Sequence, residues 1–142
     1  MSADRNKAIV RRYFEELFNK HNLSIIDELF SQNYINNQHY DPNAGAVIRG
    51  RQEWKEVAKI FFTAFPDHHS KLEDIIAEGD KVVYRWRTEG THQGPFLNIA
   101  PTYKKISING ITIDRVENGK VVETWTTWDN LTLMRQLGVA AV

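Results

Sequence analysis

The hydrophobic period of this chain changes once, at Pro66. Before that residue apolar side chains recur every three or four positions, and after it they alternate. The first spacing lines one face of a helix and the second lines one face of a strand. A proline ring cannot continue a helix, so the chain must build helices first and then a sheet. That order predicts an α+β domain with the helices packed on one sheet face.

From Asp4 to Lys20, the residues Ile9, Val10, Tyr13, Phe14, Leu17 and Phe18 form one apolar stripe, with Arg11, Arg12, Glu15 and Glu16 left for water. Ser24, followed by Asp27 and Glu28, reads as the cap of a short second helix. A third helix is predicted from Arg51 to Phe65, carrying Trp54, Val57, Ala58, Phe61, Phe62 and Phe65 on one side. Strands are expected near 71–78, 81–92, 103–116 and 120–128, reversing at Gly79-Asp80 and Asn118-Gly119. Asn33 to Gln38 reads as an edge strand, and Asn130 to Leu137 as a last helix closed by Gly138. No linker or repeat divides residues 1–142, which read as one domain. A long antiparallel meander must twist and curve, and where it fails to close around the aromatic third helix it leaves an apolar pocket.

Composition narrows the chemistry. The chain has no Cys, which excludes thiol nucleophiles, disulfides and Cys-bound zinc. Its 18 Lys plus Arg balance 18 Asp plus Glu, whereas a surface that tracks phosphates carries a basic excess, so no nucleic-acid partner is expected. The N-terminal residues lack a signal-peptide core and no apolar run approaches a membrane span, so the expected compartment is the cytoplasm.

The run Gly90-Thr91-His92-Gln93-Gly94-Pro95-Phe96-Leu97, with Pro101-Thr102, Arg115, Gly119-Lys120-Val121-Val122-Glu123, Trp125, Asp129 and Arg135-Gln136-Leu137-Gly138, resembles the SnoaL-like polyketide cyclases. These are also called ester cyclases, and they belong to the NTF2-like superfamily. Asn6-Lys7, Arg11-Arg12, Tyr34 and Phe65-Pro66-Asp67 extend the similarity over nearly the whole chain. The resemblance implies an NTF2-like cone, a curved and mostly antiparallel sheet wrapped around N-terminal helices with an internal hydrophobic cavity. It implies a homodimer formed through the outer sheet face. It also implies cyclisation or isomerisation of a small hydrophobic carbonyl compound by aldol-type proton transfer, with no cofactor or metal.

Carried over residue by residue, the resemblance puts the family's acid/base Asp at Thr126, the His two places before it at Thr124, and the partner His at Thr112. A neutral hydroxyl can hydrogen-bond an oxygen but needs a base of its own to move a proton near pH 7. Strand parity places Val122, Thr124, Thr126 and Trp128 on one face, which the resemblance turns toward the cavity, and Ile108, Gly110, Thr112 and Asp114 on the matching face of the neighbouring strand. With Trp54 and Phe61 of the third helix and Asn36 of the edge strand, Thr112, Thr124, Thr126 and Trp128 form the expected binding set.

Two residues are candidates for the missing acid/base. Asp129 is either a displaced carboxylate or the cap of the last helix. His92 is either a titrating ring at the site or a strand-end side chain that holds the following loop. Asp114 shares the inward parity, but its closeness to the Glu117-Asn118-Gly119 turn suggests a solvated carboxylate. Where relatives often carry a His, Asn37 stands here, with His39 and Tyr40 as compensating groups. His68 and His69 point apart and have no third ligand at a suitable spacing, so no metal site is expected. Arg85 and Arg87 would bind an anionic ligand if inward. The cost of burying two cations favours the outward face, paired there with Glu residues of a dimer partner. A noncatalytic binding domain is the alternative to the enzyme, and a protein-interaction domain is a third reading.

Overall fold

The computed structural model describes residues 2–38 and 47–139, and His39 and Tyr40 lie outside them. Helix α1 (Ala3–Tyr13) is capped by Ser2, whose Oγ accepts from the Arg5 amide at 3.1 Å. The chain then winds wider, as a π-helical segment at Phe14–Asn19, before the short α2 (Ser24–Leu29). The cap of α2 comes from Asn22, not Ser24: Asn22 Oδ1 accepts from the Ser24 amide at 3.2 Å and from its hydroxyl at 2.6 Å. Ser24 is already helical. Helix α3 (Arg51–Ala64) stops just before Phe65, which Pro66 holds out of helical geometry.

Six strands form one sheet: β1 (Phe30–Gln38), β2 (Val47–Arg49), β3 (His69–Glu78), β4 (Lys81–Thr91), β5 (Lys105–Glu117) and β6 (Lys120–Trp128). Their order is β2-β1-β6-β5-β4-β3, with only β1 and β6 parallel. The segment read as an edge strand is therefore interior, because β2 pairs outside it. The hairpin at Asn118-Gly119 has φ of 52° and 77°, the paired left-handed turn that this dipeptide favours. Strand β5 starts two residues later than expected, after Tyr103 with φ of 59°.

Helix α4 (Asn130–Gln136) follows β6 and packs against β5. One buried cluster lies under the N-terminal helices and includes Val10, Leu17, Ile26, Phe30, Val82, Val116 and Val121. A second includes Phe65, Ile106, Ile108, Leu133 and Leu137.

Within the β5–β6 pair, parity fails at one place. Val116 pairs with Val121, whereas Arg115 pairs with Glu123, so Val122 is an extra residue in the ladder. This bulge turns Val121 into the core and leaves Val122 half-buried. Beyond the bulge the expected phase holds, with Thr112, Asp114 and Thr124 buried. Arg85 and Arg87 point outward, but their partners are intramolecular. Arg85 Nε donates to Asp74 at 2.6 Å and Arg87 Nε to Glu73 at 3.4 Å, both on the adjacent strand β3.

Candidate functional site

Between helices and sheet lies a cavity of about 240 Å³. Its wall is mainly aromatic, with Phe14, Phe18, Phe30, Trp54, Phe61, Phe62, Trp86, Phe96 and Trp128. Ile60 and Leu97 also line it and are 58% and 38% exposed, which marks the mouth. Thr112, Thr124, Thr126, Trp128, Trp54, Phe61 and Asn36 all contribute to the lining.

Gly110 shapes this wall. It pairs with Trp86 across the sheet, and a Cβ at Gly110 would lie 2.1 Å from Trp86 Cζ2. The missing side chain lets the indole lie across β5, where its Nε1 donates to Thr112 Oγ1 at 3.0 Å. Thr112 Oγ1 is in turn 2.8 Å from Thr126 Oγ1.

Asp114 lies beneath the polar end of the cavity, and water does not reach it: the residue is 0% exposed. Tyr13 donates a short hydrogen bond to one of its oxygens, and Thr124 Oγ1 donates to the other at 2.6 Å. Tyr84 is hydrogen-bonded to Tyr13, and Tyr34 donates to Thr124 at 2.7 Å. Tyr13, Tyr34, Tyr84 and Thr124 all line the cavity, so the carboxylate is one or two hydroxyls away from a ligand. No cation pairs with Asp114 among the described residues. Burial lifts its pKa to about 6 against the pull of the Thr124 and Tyr13 hydrogen bonds. The three phenols are pushed well above their ordinary range, chiefly by burial, and stay protonated.

The turn-side location therefore does not solvate Asp114. The residue precedes the hairpin by enough that Tyr13, at the end of α1, reaches it. Two sequence signals pointed there: the inward parity that Asp114 shares with Thr112, and the single hydroxyl that Tyr13 adds to the apolar stripe of α1.

His68 is another buried titratable group and belongs to the lining, while His69 is exposed. His68 Nε2 is 2.8 Å from Ser70 Oγ, which is 2.7 Å from Thr88 Oγ1. Burial, with a smaller contribution from His21, pushes His68 down to about 4, so it is neutral at pH 7.

His92 and Asp129 stand apart from the cavity lining. His92 is buried against Phe65, with ring centroids 5.5 Å apart. Its Nδ1 accepts from the Thr102 amide at 3.1 Å, so the proton of the neutral ring sits on Nε2, and the ring fastens the loop between β4 and β5. Asp129 is exposed and caps α4, accepting from the Thr132 amide at 3.0 Å and the Thr132 hydroxyl at 2.6 Å. These bonds hold its pKa below the usual carboxylate value.

A curved, unclosed sheet packed by N-terminal helices around an apolar cavity defines an NTF2-like α+β protein. The sequence model for the SnoaL-like polyketide cyclases matches residues 8–137, and the chain belongs to that family. Among solved structures, it is similar to TsrD from Streptomyces laurentii, at 26% identity and TM-score 0.86, with 99% of each chain covered. It is also similar to IdmH, described as a candidate polyketide cyclase, from Streptomyces antibioticus, at 29% identity and TM-score 0.79, covering 94% of this chain and 99% of that one. A candidate SnoaL-like cyclase from Jannaschia sp. CCS1 shares the fold at TM-score 0.88 with 22% identity, covering 98% and 95% of the two chains. No curated protein matches the chain. No helix among the described residues is long and apolar enough to cross a membrane.

Proposed function

We propose that this protein catalyses proton transfer on a small hydrophobic carbonyl compound, in a cyclisation or isomerisation that needs no cofactor, with Asp114 as the ionisable group. The observation that carries the reading is the pair of hydroxyl links, Tyr13 and Thr124, from a buried carboxylate to the cavity wall. Threonines at the family's three ionisable positions cannot serve as bases, but Thr124 hydrogen-bonds a residue that can. At about 6, Asp114 is still mostly ionised at pH 7 and is a stronger base than an ordinary carboxylate.

In the step this reading implies, a proton leaves the carbon next to the carbonyl and joins a phenol oxygen of Tyr34 or Tyr84. That phenol passes its own proton inward, through Thr124 or Tyr13, to Asp114. The substrate is left as an enolate and Asp114 as a neutral acid, and the reverse path returns the proton after bond rearrangement. Asp114 acts through its neighbours and touches no ligand. A dry cavity of about 150 Å³ holds benzene, so about 240 Å³ suits a ligand of one or two rings. The same reading keeps a homodimer through the outer sheet face, where Ile76 and Ile111 are exposed.

The test is exchange of the α-protons of 2-tetralone into D2O, followed by NMR. Exchange is expected to rise with pH through about 6 and to fall roughly 100-fold or more in Asp114→Asn. Equal exchange in the variant, or none above buffer with the parent protein, would overturn the reading. The hydroxyls that separate Asp114 from the cavity favour a second reading, a noncatalytic binding domain, which predicts ligand binding without exchange.

A further inference from the structure

We infer that the inner end of the cavity selects a ligand bearing an un-ionised phenol or enol O–H over an ether of the same shape. The argument is a count of hydroxyl protons. A hydroxyl has one proton to donate, and an ionised carboxylate has none. Tyr13 directs its proton to Asp114, so the Tyr13 oxygen must accept from Tyr84. Thr124 directs its proton to the other carboxylate oxygen, and Tyr34 directs its proton to Thr124.

Two chains, from Tyr84 through Tyr13 and from Tyr34 through Thr124, thus run inward and end on one charge. Thr112 and Thr126 extend this pattern, because the bond between them and the Thr126 contact to the Ile111 carbonyl leave neither hydroxyl proton free. The Tyr34 oxygen already accepts from Asn36 and the Tyr84 oxygen from Thr112, so each of these phenols keeps one further lone pair for a ligand, as Thr126 does, and none of the three has a hydroxyl proton left. A ligand O–H completes this arrangement. An ether oxygen placed there would set lone pair against lone pair, with its own hydration lost.

The preference follows the charge on Asp114. When the carboxyl is protonated it donates to Tyr13 or Thr124, one chain reverses, and a proton emerges at Tyr84 or Tyr34. The titratable groups facing Asp114 are Tyr13 from α1, Tyr34 from β1 and Tyr84 from β4, all held protonated, while β6 contributes the neutral Thr124. Of these groups, only the carboxyl changes charge between mildly acidic and mildly basic solution.

This inference rests on the same cavity and network as the proposed function, but not on turnover. The test is calorimetric titration of the full chain with 2-naphthol and with 2-methoxynaphthalene, which have the same two rings. At about pH 8 the naphthol is expected to bind roughly tenfold more tightly, the scale of one hydrogen bond against one unmatched oxygen. At about pH 5 that preference is expected to shrink to roughly threefold or less. Asp114→Asn, whose amide can donate into one chain at every pH, should show the reduced preference at both. Should that variant not fold, Tyr84→Phe and Tyr34→Phe each remove one outer acceptor and should lower the preference at about pH 8. Equal affinities at about pH 8, an undiminished preference at about pH 5, or no binding of either compound would overturn the inference. Failed α-proton exchange beside an intact naphthol preference would remove the catalytic reading alone.

Discussion

Thr124 Oγ1 donates a 2.6 Å hydrogen bond to Asp114 Oδ1, joining a threonine of the cavity wall to the carboxylate buried behind it. A valine in place of Thr124 keeps the shape but removes one of the two hydroxyls that stabilise the charged form. The loss should cost about 2 kcal/mol, the scale of a hydrogen bond to a charged group, measured by urea denaturation at neutral pH. It should also raise the pKa of Asp114 further, moving the pH profile of α-proton exchange toward alkaline. An unmoved profile in a folded Thr124→Val protein would show that Asp114 does not control the reaction.

Asp114 and His68 make opposite contributions to stability over nearly the same pH window. The folded protein raises Asp114 from the ordinary carboxylate value of 3.8 to about 6. That contribution is fully present below 3.8 and lost as pH rises through about 6. His68 is lowered from 6.5 to about 4, so its contribution is present above 6.5 and lost as pH falls through about 4. Each amounts to about 3 kcal/mol, and between these limits they offset each other. The parent protein should therefore show a shallow stability profile there. Asp114→Asn should lose stability on acidification and His68→Asn should gain it, which urea midpoints across the window would resolve. Parallel slopes for both variants would contradict the opposition.

The change of period at Pro66 and the Asn118-Gly119 turn made the fold readable in the sequence, because local backbone preference and tertiary structure agree there. The interior position of β1 was not readable. It depends on pairing with β2 and, in parallel, with β6, and neither contact leaves a mark on the alternation of Asn33 to Gln38. The bulge at Val122 was hidden for a similar reason: Val121 and Val122 are chemically the same, and only the ladder tells which of them is buried. The threonine face was legible from parity, whereas the carboxylate behind it was masked by its nearness to a turn. Burial of Asp114 comes from α1, more than 100 positions away in sequence, through Tyr13.

Gly110 and Trp86 offer a test of how the cavity wall is held. A methyl group at position 110 would meet the indole at 2.1 Å, and the ring is fixed on its other side by the bond to Thr112 and an edge contact with Trp128. Gly110→Ala should displace the indole and cost about 1–3 kcal/mol, the usual penalty of overpacking. The displaced ring should appear as a change in tryptophan fluorescence and near-UV circular dichroism, with weaker 2-naphthol binding. An unchanged near-UV spectrum would mean that the wall yields elsewhere.

Asp129 separates the two sequence readings of a carboxylate beside the last strand. Its contacts with the Thr132 amide and hydroxyl satisfy free groups of the first turn of α4, and its exposure leaves it no dry environment for acid/base work. Asp129→Ala should lower stability by about 1 kcal/mol, and Asp129→Asn by less, because an asparagine oxygen can still cap. Both should leave α-proton exchange at the parent rate. The decisive comparison is Asp129→Asn against Asp114→Asn at matched stability. If the first variant abolishes exchange and the second does not, the displaced acid/base is Asp129, and the buried network serves only to hold the polar end of the cavity together.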